Sequence, residues 1–180
     1  MSTENMETAT FAGGCFWCLE AVFQKLDGVQ KITSGFMGGT VKNPAYREVV
    51  KGNTGHAEVV QLEFDPEKIS YRELLLVFFT IHDPTTLNRQ GNDIGSQYRS
   101  VVFYNSETQK QLAEVMIKEL NEEYFEGKIV TEIVAATDFY TAEESHQNFY
   151  QTHRENAYCQ AVIDPKLQKL RATFAGKLRK

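Results

Sequence analysis

The sequence predicts an α+β fold, a sandwich with helices packed on a mixed or antiparallel sheet. Three observations predict it. Runs with strand-type alternation, such as Glu7–Ala12, Val29–Met37 and His56–Phe64, are interleaved with runs of helical apolar spacing. The two kinds of element come in mixed order and do not alternate strictly. The 180 residues, 42% hydrophobic and 24% charged, suffice to bury roughly 70% of the unfolded surface in one core. No repeat, low-complexity tract or linker divides the chain, so one domain over residues 1–180 is expected, with mobile ends at Met1–Met6 and near Lys180.

Each element has its own warrant. Gly13-Gly14 stops the first strand. Cys15–Leu26 reads as a helix through Leu19, Val22, Phe23 and Leu26, and Asp27-Gly28 turns the chain. Val29–Met37 is the second strand. Gly38–Asn53 is mostly loop, with a short helix at Ala45–Val50. His56–Phe64 is a strand ended by Asp65-Pro66. Ser70 caps a helix through Ile81. His82–Gln97 is a long polar loop, and Tyr98–Tyr104 a strand. Ser106–Phe125 is a helix capped by Ser106, Ile129–Ala136 a strand, Ala142–His153 a helix, and Asp164–Arg179 holds another.

Charge narrows the function. Nineteen Lys and Arg against 24 Asp and Glu give a net charge of −5, which argues against a nucleic-acid or anionic-membrane partner. Met1–Thr10 lacks the basic and apolar segments of a signal peptide. No apolar run approaches the roughly 20 residues that span a bilayer. Three cysteines, an odd number, suit a reducing compartment. A cytoplasmic monomer is expected.

The densest chemical signal is Gly13-Gly14-Cys15-Phe16-Trp17-Cys18. The glycines allow a tight turn and close approach by a ligand. Cys15 falls at a helix start, where free N–H groups and the helix dipole stabilise a thiolate, so it reads as a nucleophile with a lowered pKa. Phe16 and Trp17, the chain's one tryptophan, suit core packing or the walls of a small apolar pocket. Glu58 is in phase with Val60, Leu62 and Phe64, the buried face of its strand. There desolvation raises a carboxyl pKa and keeps a general acid protonated; a Glu at the sheet rim reaching water is the equal alternative. Asp93 and Tyr98 in the polar loop, and Tyr46 after Asn43-Pro44, are candidate polar contacts or plain turn residues. Cys159 reads as a loop thiol able to resolve an oxidised Cys15, and Cys18 forms a Cys-x-x-Cys pair with it. His146 and His153, seven apart on one expected helix face, suit packing or solvent.

These residues resemble the peptide methionine sulfoxide reductase A family. The resemblance rests on Gly13-Gly14-Cys15-Phe16-Trp17, Asn43-Pro44-Ala45-Tyr46-Arg47-Glu48-Val49, Gly55-His56-Ala57-Glu58 and His82-Asp83-Pro84-Thr85. It continues through Arg89-Gln90-Gly91-Asn92-Asp93, Gln97-Tyr98-Arg99-Ser100, Thr131-Glu132-Ile133 and Phe139-Tyr140-Ala142-Glu143. It implies a two-layer α/β sandwich and reduction of methionine-S-sulfoxide, free or in proteins, through a sulfenic acid and an intramolecular disulfide. It also implies a nucleophilic Cys15, a methyl pocket of Phe16 and Trp17, Glu58 as acid, Tyr46 and Tyr98 as hydroxyl donors, and Asp93 as a further carboxylate. No metal or organic cofactor is implied, and thioredoxin, or dithiothreitol in its place, is the external reductant. The family's recycling cysteine near the C-terminus favours Cys159 over Cys18 as the resolving thiol. Two departures stand out: Cys18 replaces the family's usual Gly, and Phe36 replaces a Tyr in Gly35-Phe36-Met37-Gly38-Gly39. Two rival readings are a thioredoxin-like dithiol–disulfide oxidoreductase using Cys15 and Cys18, and a zinc module built on the three cysteines and a His. The first lacks an evident cis-proline loop, and the second lacks a second ligand pair.

Overall fold

The structure, a computed structural model, describes residues 5–179; the expected mobility of Met1–Glu4 and Lys180 lies outside the described residues. Strand β1 (Glu7–Ala12) leads through Gly13-Gly14 into helix α1 (Phe16–Phe23). Strand β2 (Val29–Met37), helix α2 (Tyr46–Val49), strand β3 (Ala57–Phe64) and helix α3 (Tyr71–Ile81) follow. A small hairpin of β4 (Arg89–Gln90) and β5 (Asp93–Ile94) interrupts the expected polar loop. Strand β6 (Val101–Tyr104), helix α4 (Glu107–Leu120), strands β7 (Glu132–Ala135) and β8 (Tyr140–Thr141), helix α5 (Phe149–Thr152) and helix α6 (Asp164–Phe174) complete the chain.

Six strands form one mixed sheet in the order β7-β6-β1-β3-β2-β8. Only the β6–β7 pair is parallel. The expected α+β two-layer architecture is the one observed. Alternation along β3 divides the core. Val60, Leu62 and Phe64 face the helical layer, where they pack with Phe11, Phe23, Phe78, Ala113 and Leu170. Ala57 and Val59 face the other side, against Ala12, Met37, Val101 and Phe103. Ser70 caps α3 reciprocally with Glu73: each side-chain oxygen accepts the other residue's backbone N–H at 3.1 Å. Ser106 Oγ likewise accepts from Gln109 N–H at 3.2 Å.

Several boundaries differ from expectation. Helix α1 stops at Phe23 because Leu26 is drawn into a bridge with Leu178. Tyr98 belongs to a short 3-10 turn, Ser96–Tyr98, ahead of β6. The expected helix over Ala142–His153 is absent as a unit. There, Ala142 N–H donates to Ser34 O at 3.0 Å. The Gln147 amide continues the pairing, accepting from Ser34 N–H at 2.9 Å and donating to Ser34 O at 2.8 Å. Pinned to β2, this stretch forms only a 3-10 turn, Glu144–His146, and the four-residue α5. His146 and His153 therefore share no helix face. Cys159, expected in a loop, sits instead in a helical turn, Cys159–Ile163, that runs into α6. Asn156 Oδ1 starts that turn by accepting from Tyr158 N–H at 2.8 Å. Among the described residues no helix is long and apolar enough to cross a membrane.

Candidate active site

The end of β1, the start of β3, helix α2 and the turn before β6 bring Cys15, Glu58, Tyr46 and Tyr98 to one end of the sheet. Gly13 and Gly14 make the turn possible. A Cβ on Gly13 would stand 2.9 Å from His82 Cδ2. Gly14 has φ +87°, and a Cβ there would stand 2.8 Å from Gln90 Cγ. Cys15 is the N-cap of α1 and is only 5% exposed.

Glu58 is fully buried on the helical face, the position its strand phase indicates. Its Oε1 accepts from Phe16 N–H at 3.1 Å, and its Oε2 has no partner. Phe36 lies directly across from it on β2, and the Phe36 and Phe16 rings are 5.6 Å apart. In this apolar surround burial pushes the carboxyl pKa up to about 8, against the pull of the Phe16 N–H bond. Glu58 is therefore a carboxylic acid at neutral pH.

The expected lowering of the Cys15 pKa is not what the structure supports. Burial is the largest influence and raises it well above the ordinary thiol value, and the neighbouring Glu58 charge raises it further. Backbone N–H donation from Trp17, the helix-terminus effect, opposes this and is the smaller influence. The resting site thus holds a neutral thiol beside a neutral acid. Tyr46 and Tyr98 are half-buried. Burial first, then the charges of Glu58 and Cys15, raise both phenols, which stay protonated donors.

Phe16 is fully buried and Trp17 partly so. The Trp17 ring is stacked on Phe149 at 3.7 Å and nearly parallel to Tyr46 at 6.4 Å. Its Nε1–H donates to His146 Nδ1 at 3.2 Å.

On the other flank of Cys15 lies a groove of about 410 Å³. Its lining includes Cys15, Cys18, Asn92, Asp93, Tyr158 and Lys166. Tyr158 Oη donates to Asp93 Oδ2 at 2.6 Å and lies 3.5 Å from Cys18 Sγ. Burial raises the Cys18 pKa to about 11. Cys159 is completely buried and does not line this groove. All three thiols are free. Among the described residues no group of three His, Cys, Asp or Glu is arranged to hold a metal ion.

The structure thus gathers Cys15, Phe16, Trp17, Tyr46, Glu58, Tyr98, Asp93 and Cys18, and leaves Cys159 apart from the groove. Sequence reasoning undervalued His146 and Tyr158. Their contacts span 129 and 140 residues of chain, and no local spacing announces them.

A family model described as peptide methionine sulfoxide reductase matches residues 7–178. A relative named peptide methionine sulfoxide reductase MsrA, from Sulfolobus acidocaldarius, is 56% identical over 172 residues, covering 96% of this chain and 97% of its own. Among solved structures, Mxr1 from Saccharomyces cerevisiae in reduced form superposes with TM-score 0.82 at 34% identity, over 88% of this chain and 91% of that one. Mxr1 in complex with Trx2 matches with TM-score 0.59 at 26% identity, over 82% and 87%. A family-model match over residues 7–178 and a relative 56% identical across nearly the whole chain make this chain a member of the peptide methionine sulfoxide reductase family.

Proposed function

We propose that this chain, acting as one catalytic unit, reduces the S epimer of methionine sulfoxide, free or in oxidised proteins, with Cys15 as nucleophile and Glu58 as acid. The observation that carries the assignment of roles is the fully buried, protonated Glu58 beside the Cys15 thiol.

Phe16 and Trp17 receive the substrate's methyl group. Cys15 sulfur attacks the sulfoxide sulfur, and negative charge grows on the sulfoxide oxygen. Glu58 protonates that oxygen, while the phenols of Tyr46 and Tyr98 hydrogen-bond to it. Stabilisation of this kind is worth about 3 kcal/mol per donor. The Cys15 proton replaces the one Glu58 gives up, so the acid ends as it began. The bond between the substrate sulfur and its protonated oxygen breaks, the hydroxyl passes to the Cys15 sulfur, and the substrate sulfur gains two electrons and leaves as thioether. Cys15 loses two and becomes a sulfenic acid. A second thiol then attacks the Cys15 sulfur, water departs, and a disulfide forms. An external dithiol, thioredoxin in the cell or dithiothreitol in the tube, reduces it by exchange. No prosthetic group is called for.

For the second thiol the groove supports Cys18. It lies across one turn from Cys15, its N–H donating to Cys15 O at 3.1 Å, and lines the same groove. Cys159, favoured by the family's usual arrangement, would first have to leave its helical turn. Three free cysteines fit a reducing cytoplasm, and the Mxr1–Trx2 complex supports a thioredoxin partner.

The test is incubation with each epimer of a methionine sulfoxide peptide and dithiothreitol, followed by disulfide mapping after one turnover. Thioether from the S epimer alone and a Cys15–Cys18 linkage are expected. Turnover of the R epimer alone would overturn the substrate reading, and a dominant Cys15–Cys159 linkage would return the resolving role to Cys159.

A further inference from the structure

We infer that the neutral imidazole of His146 is a clasp that fixes the aromatic walls of the substrate site, and that its protonation releases them. His146 is a positioning residue, acting through Trp17 and Tyr46. The inference rests on the assignment of those two side chains to the substrate site and names an acid sensitivity for it.

The geometry is specific. Nδ1 of His146 accepts from Trp17 Nε1–H at 3.2 Å. An indole N–H only donates, so this nitrogen must carry no proton, and the imidazole proton sits on Nε2. The same ring lies 4.0 Å from the Tyr46 ring with 2° between planes. It is 5.7 Å from Trp17 at 13° and 5.8 Å from Phe16. One side chain thus touches both walls of the methyl pocket and one donor to the sulfoxide oxygen. Phe149 backs the face of Trp17, and the bond to His146 fixes how the indole turns on that face.

The titratable groups facing His146 are Tyr46 on α2, Tyr140 on β8 and Glu143 on its own turn. Arg47 shares the groove of about 700 Å³ beside them. Glu143 Oε1 is engaged by Tyr46 N–H at 3.0 Å. Burial lowers the His146 pKa, and the Glu143 charge opposes this without overcoming it. The ring is therefore neutral at pH 7 and charges only in acid. Once charged, both its nitrogens carry protons, and Nδ1–H would confront the indole N–H, two donors with no acceptor between them. The bond breaks and the stacked walls loosen.

Trp17 is the chain's one tryptophan, so intrinsic fluorescence of the substrate-free enzyme reads the clasp directly. Lowering the pH from about 7.5 to about 4.5 should give a fluorescence step with its midpoint below the ordinary histidine value of about 6.5. KM for a methionine-S-sulfoxide peptide should rise about tenfold over the same range, with a smaller fall in kcat. His146→Gln keeps an acceptor that does not titrate. It should abolish the step and keep KM within about threefold and independent of acid pH. His146→Phe keeps a ring without the acceptor and should show the acid-form KM already at neutral pH. His153→Gln, altering the ring that stacks on the far side of Phe149 at 4.0 Å, should leave the step intact. Nitrogen-15 NMR of the unmodified enzyme at neutral pH, which needs no variant to fold, should show Nδ1 of His146 unprotonated. A step that survives His146→Gln, a step lost in His153→Gln, a KM that ignores the step, or a protonated Nδ1 would each overturn the clasp. A Cys15→Ser enzyme that stayed active would instead overturn the catalytic reading and leave the fluorescence step untouched.

Discussion

The two flanks of Cys15 differ in kind. On one side Glu58 sits in a dry surround of Phe16, Phe36 and Tyr46, where the acid's Oε2 has no hydrogen-bond partner. On the other lies the groove holding Cys18, Asp93 and Tyr158, where polar groups satisfy one another. A buried carboxyl with one oxygen unpartnered keeps its proton and responds to whatever enters, whereas a satisfied network holds its shape. The dry side suits the step in which charge develops on oxygen, and the groove suits the step in which two sulfurs must meet and be reached by another protein. If that division is correct, substitutions on the two sides should damage different half-reactions.

Cys15 stands on the boundary, so Cys15→Ser should remove both halves. Activity falls to background while the circular dichroism spectrum persists, and retained turnover would erase the division. On the dry side, Glu58→Gln keeps the shape but has no acid proton. Single-turnover release of methionine should slow by roughly 100- to 10,000-fold. With the Glu58 pKa raised to about 8, the unmodified enzyme should hold its single-turnover rate from neutral pH up to that value and lose it as pH rises through it. A flat profile through pH 8 would take the acid role from Glu58.

On the groove side, Cys18→Ser should release about one equivalent of methionine at the normal rate, because sulfenic acid formation needs only Cys15. Steady turnover with thioredoxin should then drop at least about tenfold, since no disulfide forms for exchange. Full thioredoxin-driven turnover in Cys18→Ser would move the resolving role to Cys159. The smallest effect is expected from Tyr158→Phe, which keeps the ring against Trp17 but loses the bonds to Asp93 and Cys18. Recycling should slow by about threefold to tenfold, the worth of one or two hydrogen bonds, with the first turnover unchanged. A slowed first turnover would mean that the two flanks are coupled.

The dry side was the more legible in the sequence. Strand phase puts Glu58 on the buried face without deciding between a buried acid and a rim residue, and Cys15 stands out through Gly-Gly at a helix start, because alternation and turn chemistry are local. What local pattern misjudged was the Cys15 pKa. The helix terminus is visible in sequence, but the burial that outweighs it comes from tertiary packing around α1. The groove was harder to read. Cys159 looked like a loop residue because neither the Asn156 cap nor the helical turn leading into α6 has strong apolar periodicity. The stretch 142–153 carries helical spacing, yet the Gln147 amide binds the β2 backbone and prevents the helix. Tyr158 and His146 reach the site only through tertiary contacts.

The lone buried carboxyl of Glu58 also bears on folding. Its pKa is about 8 in the folded chain against an ordinary value of 4.5. Between those values the folded state holds a proton that the unfolded state has released, so stability declines as pH rises across the interval. Below 4.5 both states are protonated and the penalty vanishes. Each unit is worth about 1.4 kcal/mol, which makes roughly 3 kcal/mol by pH 7. The acid that equips the site therefore strains the fold at the pH where it is used. Glu58→Gln should unfold at higher urea than the unmodified protein at pH 7, with the gain shrinking toward zero by about pH 4.5. A gain that is constant with pH would mean that the folded carboxyl is already ionised, and that the site meets its substrate without a proton to give.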